Sequence, residues 1–153
     1  MGRPAAALAL LVLATVVGCG SGSGVQEGAS VHVYVGSELC PEARDPLVAA
    51  KGKAGEVDVR MVCLRRVTAA GTGRIDLATQ GANARRASED SAAVAFLEAP
   101  GKAAEFAAPI VEEAGIAFVE AGDGTVGMER VLKAIEDAGT SGSPREKVRD
   151  ALE

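Results

Sequence analysis

Residues 75–119 read IDLATQGANARRASEDSAAVAFLEAPGKAAEFAAPIVEEAGIAFV, and they alternate a helical pattern with a short apolar run twice over. The runs Ala92–Leu97 and Ile116–Val119 are short and carry Val, Phe and Ile, as buried strands do. Between them, residues 103–114 place Phe106, Ile110 and Val111 on one side, which predicts a helix. Residues 75–90 predict another, too rich in alanine to form a sharp apolar stripe. Helix, strand, helix, strand contains a βαβ unit, so its two strands are expected to be parallel.

Upstream of this unit, Val31–Val35 alternates valine with His32 and Tyr34 and then meets Gly36, which predicts a first strand over 31–36. His32 is the single histidine. It has no Cys, Asp or His at ligand spacing, so a structural role is expected rather than metal or general-base chemistry. Two helix starts compete next, Pro41 behind Cys40 and Pro46 behind Asp45, in a helix expected to end near Lys51. Residues 52–55 read as a turn, and 57–64 as a second strand whose alternating Asp58 and Arg60 suit a sheet edge. The glycine-rich stretch 68–74, TAAGTGR, lacks both the GK[ST] ending of a phosphate loop and the GxGxxG dinucleotide turn, and reads as a connection. Downstream, residues 120–124 read as a turn. Met128, Val131, Leu132 and Ile135 mark a helix over 128–138, stopped by Gly139. Ser143-Pro144-Arg145-Glu146 reads as a capping box opening a last helix over 144–152.

The amino terminus is of a different character. Arg3 is followed by an apolar run of 13 residues, Ala5–Val17, and then by Val16-Val17-Gly18-Cys19 at its end. Thirteen residues is short of the roughly 20 that a spanning helix needs, so residues 1–18 are expected to be a signal peptide. The four residues are similar to a bacterial lipobox, which makes Cys19 the expected lipidation site; an ordinary secretory signal with a chance cysteine is the alternative. Residues 19–29 form a Gly/Ser-rich tether, and residues 30–153 are expected to form one α/β domain. Ten such tether residues reach roughly 15–20 Å, which would keep the domain near a membrane yet free to tumble.

Composition narrows the function. The 153 residues carry 16 basic and 21 acidic side chains, a net charge of −5, and only 3% aromatics. That balance disfavours a nucleic-acid partner, which requires clustered Lys and Arg. The chain contains no GxSxG, HExxH or CxxC, so neither catalysis, a metal nor a cofactor is expected.

The stretch GANARRASEDSAAVAF, with the following AAPIVEEAGIAFV, resembles the first lobe of the type I periplasmic substrate-binding proteins, the leucine-type receptors for branched-chain amino acids of ABC transporters. The resemblance runs from about residue 30 to 120 and resumes near 127, where MERVLKAIEDAGTSGSPREKVRDALE is similar to their C-terminal part. It implies a three-layer Rossmann-like lobe with a parallel sheet of about four strands, near 31–36, 57–64, 93–98 and 116–120, in the order 2-1-3-4. It also implies a membrane-anchored extracytoplasmic lipoprotein that binds a small polar, amino-acid-like solute for an ABC permease. The family closes two lobes around its ligand, whereas this sequence has room for one, so a second copy or another protein is expected to complete the clamp. An interaction lipoprotein that keeps the fold without ligand, or a fragment without independent function, is the other reading.

In such a sheet, ligands collect at the carboxyl ends of the strands where neighbouring loops diverge. The expected walls are Gly36, Ser37 and Glu38, then Glu98, Ala99, Pro100 and Gly101, with Glu120, Ala121 and Gly122 beyond. The loops after the third and fourth strands hold no hydroxyl where amino-acid-binding relatives carry Ser or Thr. Glu38, Glu98 and Glu120 favour a cationic or polar group over a free dicarboxylate. Export would place Cys40 and Cys63, at or just beyond the ends of neighbouring strands, in an oxidising compartment, where a disulfide is expected and two buried thiols are the alternative.

Overall fold

The computed structural model describes residues 30–68, 74–139 and 143–153. The chain runs β1 (Val31–Val35), α1 (Cys40–Ala49), β2 (Lys53–Ala54), β3 (Val57–Cys63), α2 (Leu77–Glu89), β4 (Ala93–Glu98), α3 (Lys102–Glu113), β5 (Ala117–Glu120), α4 (Gly124–Ala138) and α5 (Pro144–Leu152). The fold is α/β, with a mostly parallel five-stranded sheet ordered β2-β3-β1-β4-β5. The long strands pair in parallel, with Tyr34 beside Val62 and Phe96, and Phe96 beside Phe118.

This order differs from the four-strand order 2-1-3-4 by β2, which occupies residues read as a turn. Lys51, Gly52 and Gly55 take positive φ of 56°, 72° and 57°, and these bends fold the chain back so that β2 pairs antiparallel with β3. Lys53 then reaches Asp58 at 2.9 Å. The charges on β3 that suggested an outer strand therefore belong to the second strand from the edge.

The two-residue period of the strands builds two cores. Val33, Val35, Leu97 and Val119 pack in one cluster with Met128, Val131 and Ile135 of α4. Tyr34 and Phe96 join Ala84, Ala107, Val111 and Ile116 on the side of α2 and α3. All six residues of β4 are buried, as expected of a central strand covered on both faces. The core is thin in aromatics, and Phe96 and Phe118 stack with their ring centroids 6.0 Å apart.

α1 begins at the earlier of its two candidate starts, Cys40, with Pro46 inside it. A proline there removes the N–H that would meet the carbonyl of Glu42. The Thr125 hydroxyl lies 3.4 Å from that oxygen and serves as its donor. α4 begins at Gly124, four residues before the expected Met128, because two acceptors hold its poor helix-forming first turn. Asp123 caps Val126 N–H at 3.0 Å, and the Glu42 carboxylate accepts from Gly124 N–H at 2.8 Å. Glycine is required at 127, where a Cβ would stand 2.6 Å from Leu97 Cδ1. α2 starts at Leu77 behind an Asp76 cap, Ile75 instead bridging to Thr68. Ser143 makes no side-chain cap, so the expected capping box is not formed. Among the described residues, no helix is long and apolar enough to cross a membrane.

Candidate functional site

Gly36, Glu98 and Glu120 follow the even-numbered, α2/α3-facing positions of β1, β4 and β5. At this carboxyl end a crevice of about 90 Å³ opens between the β1–α1 loop, the β3–α2 loop and the start of α3. Ser37, Glu38, Glu98, Ala99, Pro100 and Gly101 line it together. Arg65, Thr68 and Lys102 line it too and were not foreseen.

Glu120, Ala121 and Gly122, expected as a third wall, are not among the residues that line this crevice. Glu120 is in register with Glu98 but exposed at the sheet edge, and Ala121 packs toward the opposite core. The backbone ties this turn to Glu98, through Ala121 N–H to Glu98 O at 3.1 Å.

Glu98 is the floor of the crevice and is 5% exposed. Its Oε2 accepts from Gln80 Nε2 at 3.0 Å and its Oε1 from its neighbour Ala99 N–H at 3.1 Å. Burial raises its pKa above the ordinary carboxylate range; the two hydrogen bonds oppose that shift, and Glu38 adds to it. Glycine at 36 makes this placement possible, since a Cβ there would overlap the Glu98 carboxyl.

Two buried amides of α2 fix the surrounding loops. Gln80, fully buried, also donates to Ala103 O at 3.1 Å. Asn83, 4% exposed, holds the backbone of Arg65 on both sides, accepting from its N–H at 3.3 Å and donating to its O at 2.9 Å. Thr68 Oγ1 donates to Glu38 Oε1 at 3.1 Å, joining the β3–α2 loop to the β1–α1 loop. Sequence reading passed over Gln80 and Asn83 because α2 showed no strong apolar stripe. With Ala84 and Ala87 they occupy i, i+3, i+4 and i+7, so the inward face was legible as small residues and amides.

The crevice thus combines two carboxylates, Glu38 and Glu98, with two cations, Arg65 and Lys102. The sequence had shown only the acidic half. Beside it lies a wider groove of about 710 Å³ that shares Ile75 and Lys102 and includes the exposed Leu77 and Phe106. Most of the glycine-rich connection, residues 69–73, lies outside the described residues, as does Cys19. Cys40 and Cys63 stand at disulfide distance, Cα to Cα 5.8 Å.

The amino end of the sheet holds a second polar cluster. His32 has an acidic partner far from it in sequence: Nδ1 donates to Asp90 Oδ2 at 2.6 Å across 58 residues. Tyr34 donates to the same oxygen at 2.8 Å, and Ala92 N–H to Oδ1 at 2.9 Å. Burial, reinforced by Asp90, pushes the Tyr34 phenol up to about 12. Burial alone would raise Asp90, but the bonds from His32, Ala92 and Tyr34 hold it below the usual range. Arg145 of α5 donates to Ala93 O at 2.7 Å, to Ala114 O at 3.1 Å and to Asp90 O, closing the cluster. No group of His, Cys, Asp and Glu among the described residues could hold a metal ion.

No family model, curated protein or solved structure matches the chain, and nothing in these comparisons identifies it as a periplasmic binding protein.

Proposed function

We propose that this chain is an extracytoplasmic solute-binding lipoprotein, anchored through Cys19, whose one Rossmann-like lobe takes a small amino-acid-like solute at the carboxyl ends of β1 and β4. The observation that carries the reading is the crevice itself, where Glu38 and Glu98 face Arg65 and Lys102 around about 90 Å³. Such a volume takes a head group rather than a whole drug-sized ligand. Mixed charge favours a zwitterion: the ammonium group meets Glu98 and Glu38, while the carboxylate meets Lys102, Arg65 and the first N–H groups of α3, whose N-cap Gly101 supplies no side-chain bond. The rest of the solute lies toward the neighbouring groove.

A single lobe leaves one side of such a ligand in water, so affinity is modest until a second subunit or a permease covers the crevice. A thermal-shift screen of the chain against amino acids, alkylamines and small carboxylates tests the reading. Amino acids are expected to raise the melting temperature more than either the matching amine or the matching acid. Equal, absent or carboxylate-led stabilisation would count against it. For the anchor, Cys19→Ala is expected to release the chain from the membrane fraction; unchanged partitioning would refute the lipid attachment.

A further inference from the structure

The two cysteines of the Cys40–Cys63 pair stand in unequal surroundings. Cys40 opens α1 and is only 6% exposed, enclosed in the core shared with α4. Cys63 closes β3 and is exposed. The pair also sits where the crevice is built. Residues 36–39 lead directly into Cys40, residues 64–68 follow directly from Cys63, and the Thr68–Glu38 hydrogen bond joins the same two loops.

We infer that the Cys40–Cys63 pair is a thiol–disulfide exchange site, entered by a dithiol reductant at Cys63 and reclosed by Cys40, and that opening it loosens the two crevice loops. The inference rests on the placement of the pair and not on the identity of the solute. In the first step a thiolate of the reductant attacks Cys63 Sγ. The new sulfur–sulfur bond forms there, the Cys40–Cys63 bond breaks, and its electron pair leaves on Cys40 Sγ. Access decides which sulfur is attacked, and only Cys63 is open to solvent. The leaving thiolate develops at the first residue of a ten-residue helix, where the macrodipole favours negative charge. In the second step the other thiol of the reductant attacks its own sulfur in the mixed disulfide, releasing Cys63 as a thiolate. The reductant leaves as a disulfide, having supplied two electrons, and its two protons end on Cys40 and Cys63. Reoxidation runs the same steps backwards, with Cys40 expelling whatever is bound to Cys63.

Peptide mass mapping of the whole chain carrying Cys19→Ala, treated while folded with reduced glutathione and quenched in acid, tests the chemistry. The adduct is expected at Cys63 in an excess of about ten to one or more over Cys40. Treated instead with oxidised glutathione, the Cys40→Ser chain is expected to hold a stable adduct at Cys63, formed as the Cys63 thiolate displaces one glutathione as its thiol, and the Cys63→Ser chain to leave Cys40 unmodified until denaturant is added. An adduct mainly on Cys40, equal adducts, no adduct on either, or two free thiols before any reductant would each overturn the inference. The first comparison needs no variant at either bridge cysteine, so a misfolded mutant does not decide it. Hydrogen exchange tests the consequence: after dithiothreitol, amides at 36–39 and 64–68 are expected to exchange at least about tenfold faster while those of 95–97 stay protected. Unchanged exchange in both loops would overturn the coupling to the crevice.

Discussion

Asp90, just before β4, and Glu98, its last residue, are eight residues apart, and their surroundings are inverted. Asp90 accepts from His32, Tyr34 and the Ala92 N–H, which hold it ionised despite partial burial. Glu98 is more deeply buried, receives one side-chain donor and one backbone donor, and faces a cavity. The first carboxylate is satisfied by the fold. The second costs the fold energy when it ionises and lies beside a crevice, which supports the proposed binding site without a tie of the Asp90 kind.

The comparison breaks first at Asp90. Replacing it with Ala removes the acceptor of three hydrogen bonds, among them the one the buried Tyr34 phenol donates, so a loss of about 2–3 kcal/mol is expected in urea unfolding. A loss below about 0.5 kcal/mol would show that the amino-end cluster is not the structural tie described here.

At the other end, Gly36→Ala drives a methyl into the Glu98 carboxyl and is expected to cost about 1–3 kcal/mol. Glu98→Ala in the same chain removes the obstacle, so the double variant should recover most of the loss. An additive double variant would mean that Gly36 is needed for another reason.

The smallest effect is the most specific. Because the folded pKa of Glu98 is raised, its contribution to stability is present at low pH and is lost as pH rises through the folded value. Asp90 has the opposite sign: its folded pKa is depressed, so its contribution is present above the unfolded pKa and is lost as pH falls through the folded one. Glu98→Gln is therefore expected to be more stable than the parent at pH 8 by about 1 kcal/mol or less, with the difference shrinking toward pH 4. A difference of the reverse sign, measured by urea midpoints across that range, would contradict the assigned surroundings.

How much of this was readable beforehand follows from the range of the interactions. The parallel core strands were legible because each is a local apolar run, and α3 and α5 because their periodicity or leading proline is local too. β2 was not, since its two residues carry no pattern and depend on three positive-φ residues around them. The first turn of α4 was hidden by Gly124-Thr125-Val126-Gly127, which reads as loop until Glu42, 82 positions away, caps it. The acidic half of the crevice could be read from strand ends, where topology places it. Arg65 and Lys102 could not be assigned to it, because lysines and arginines at loop edges usually point into solvent. His32 lacked a visible partner for the same reason that α4 lacked a visible start.

Chemical-shift mapping of the ¹⁵N-labelled chain, titrated with the amino acid that most raises its melting temperature, tests the central claim most directly. The account predicts that the largest shifts fall on Ser37, Glu38, Arg65, Gly101 and Lys102, with Gln80 and Asn83 side-chain amides following, and that His32, Asp90 and Arg145 stay still. Shifts gathered at the amino-end cluster, or spread along α4, would contradict it.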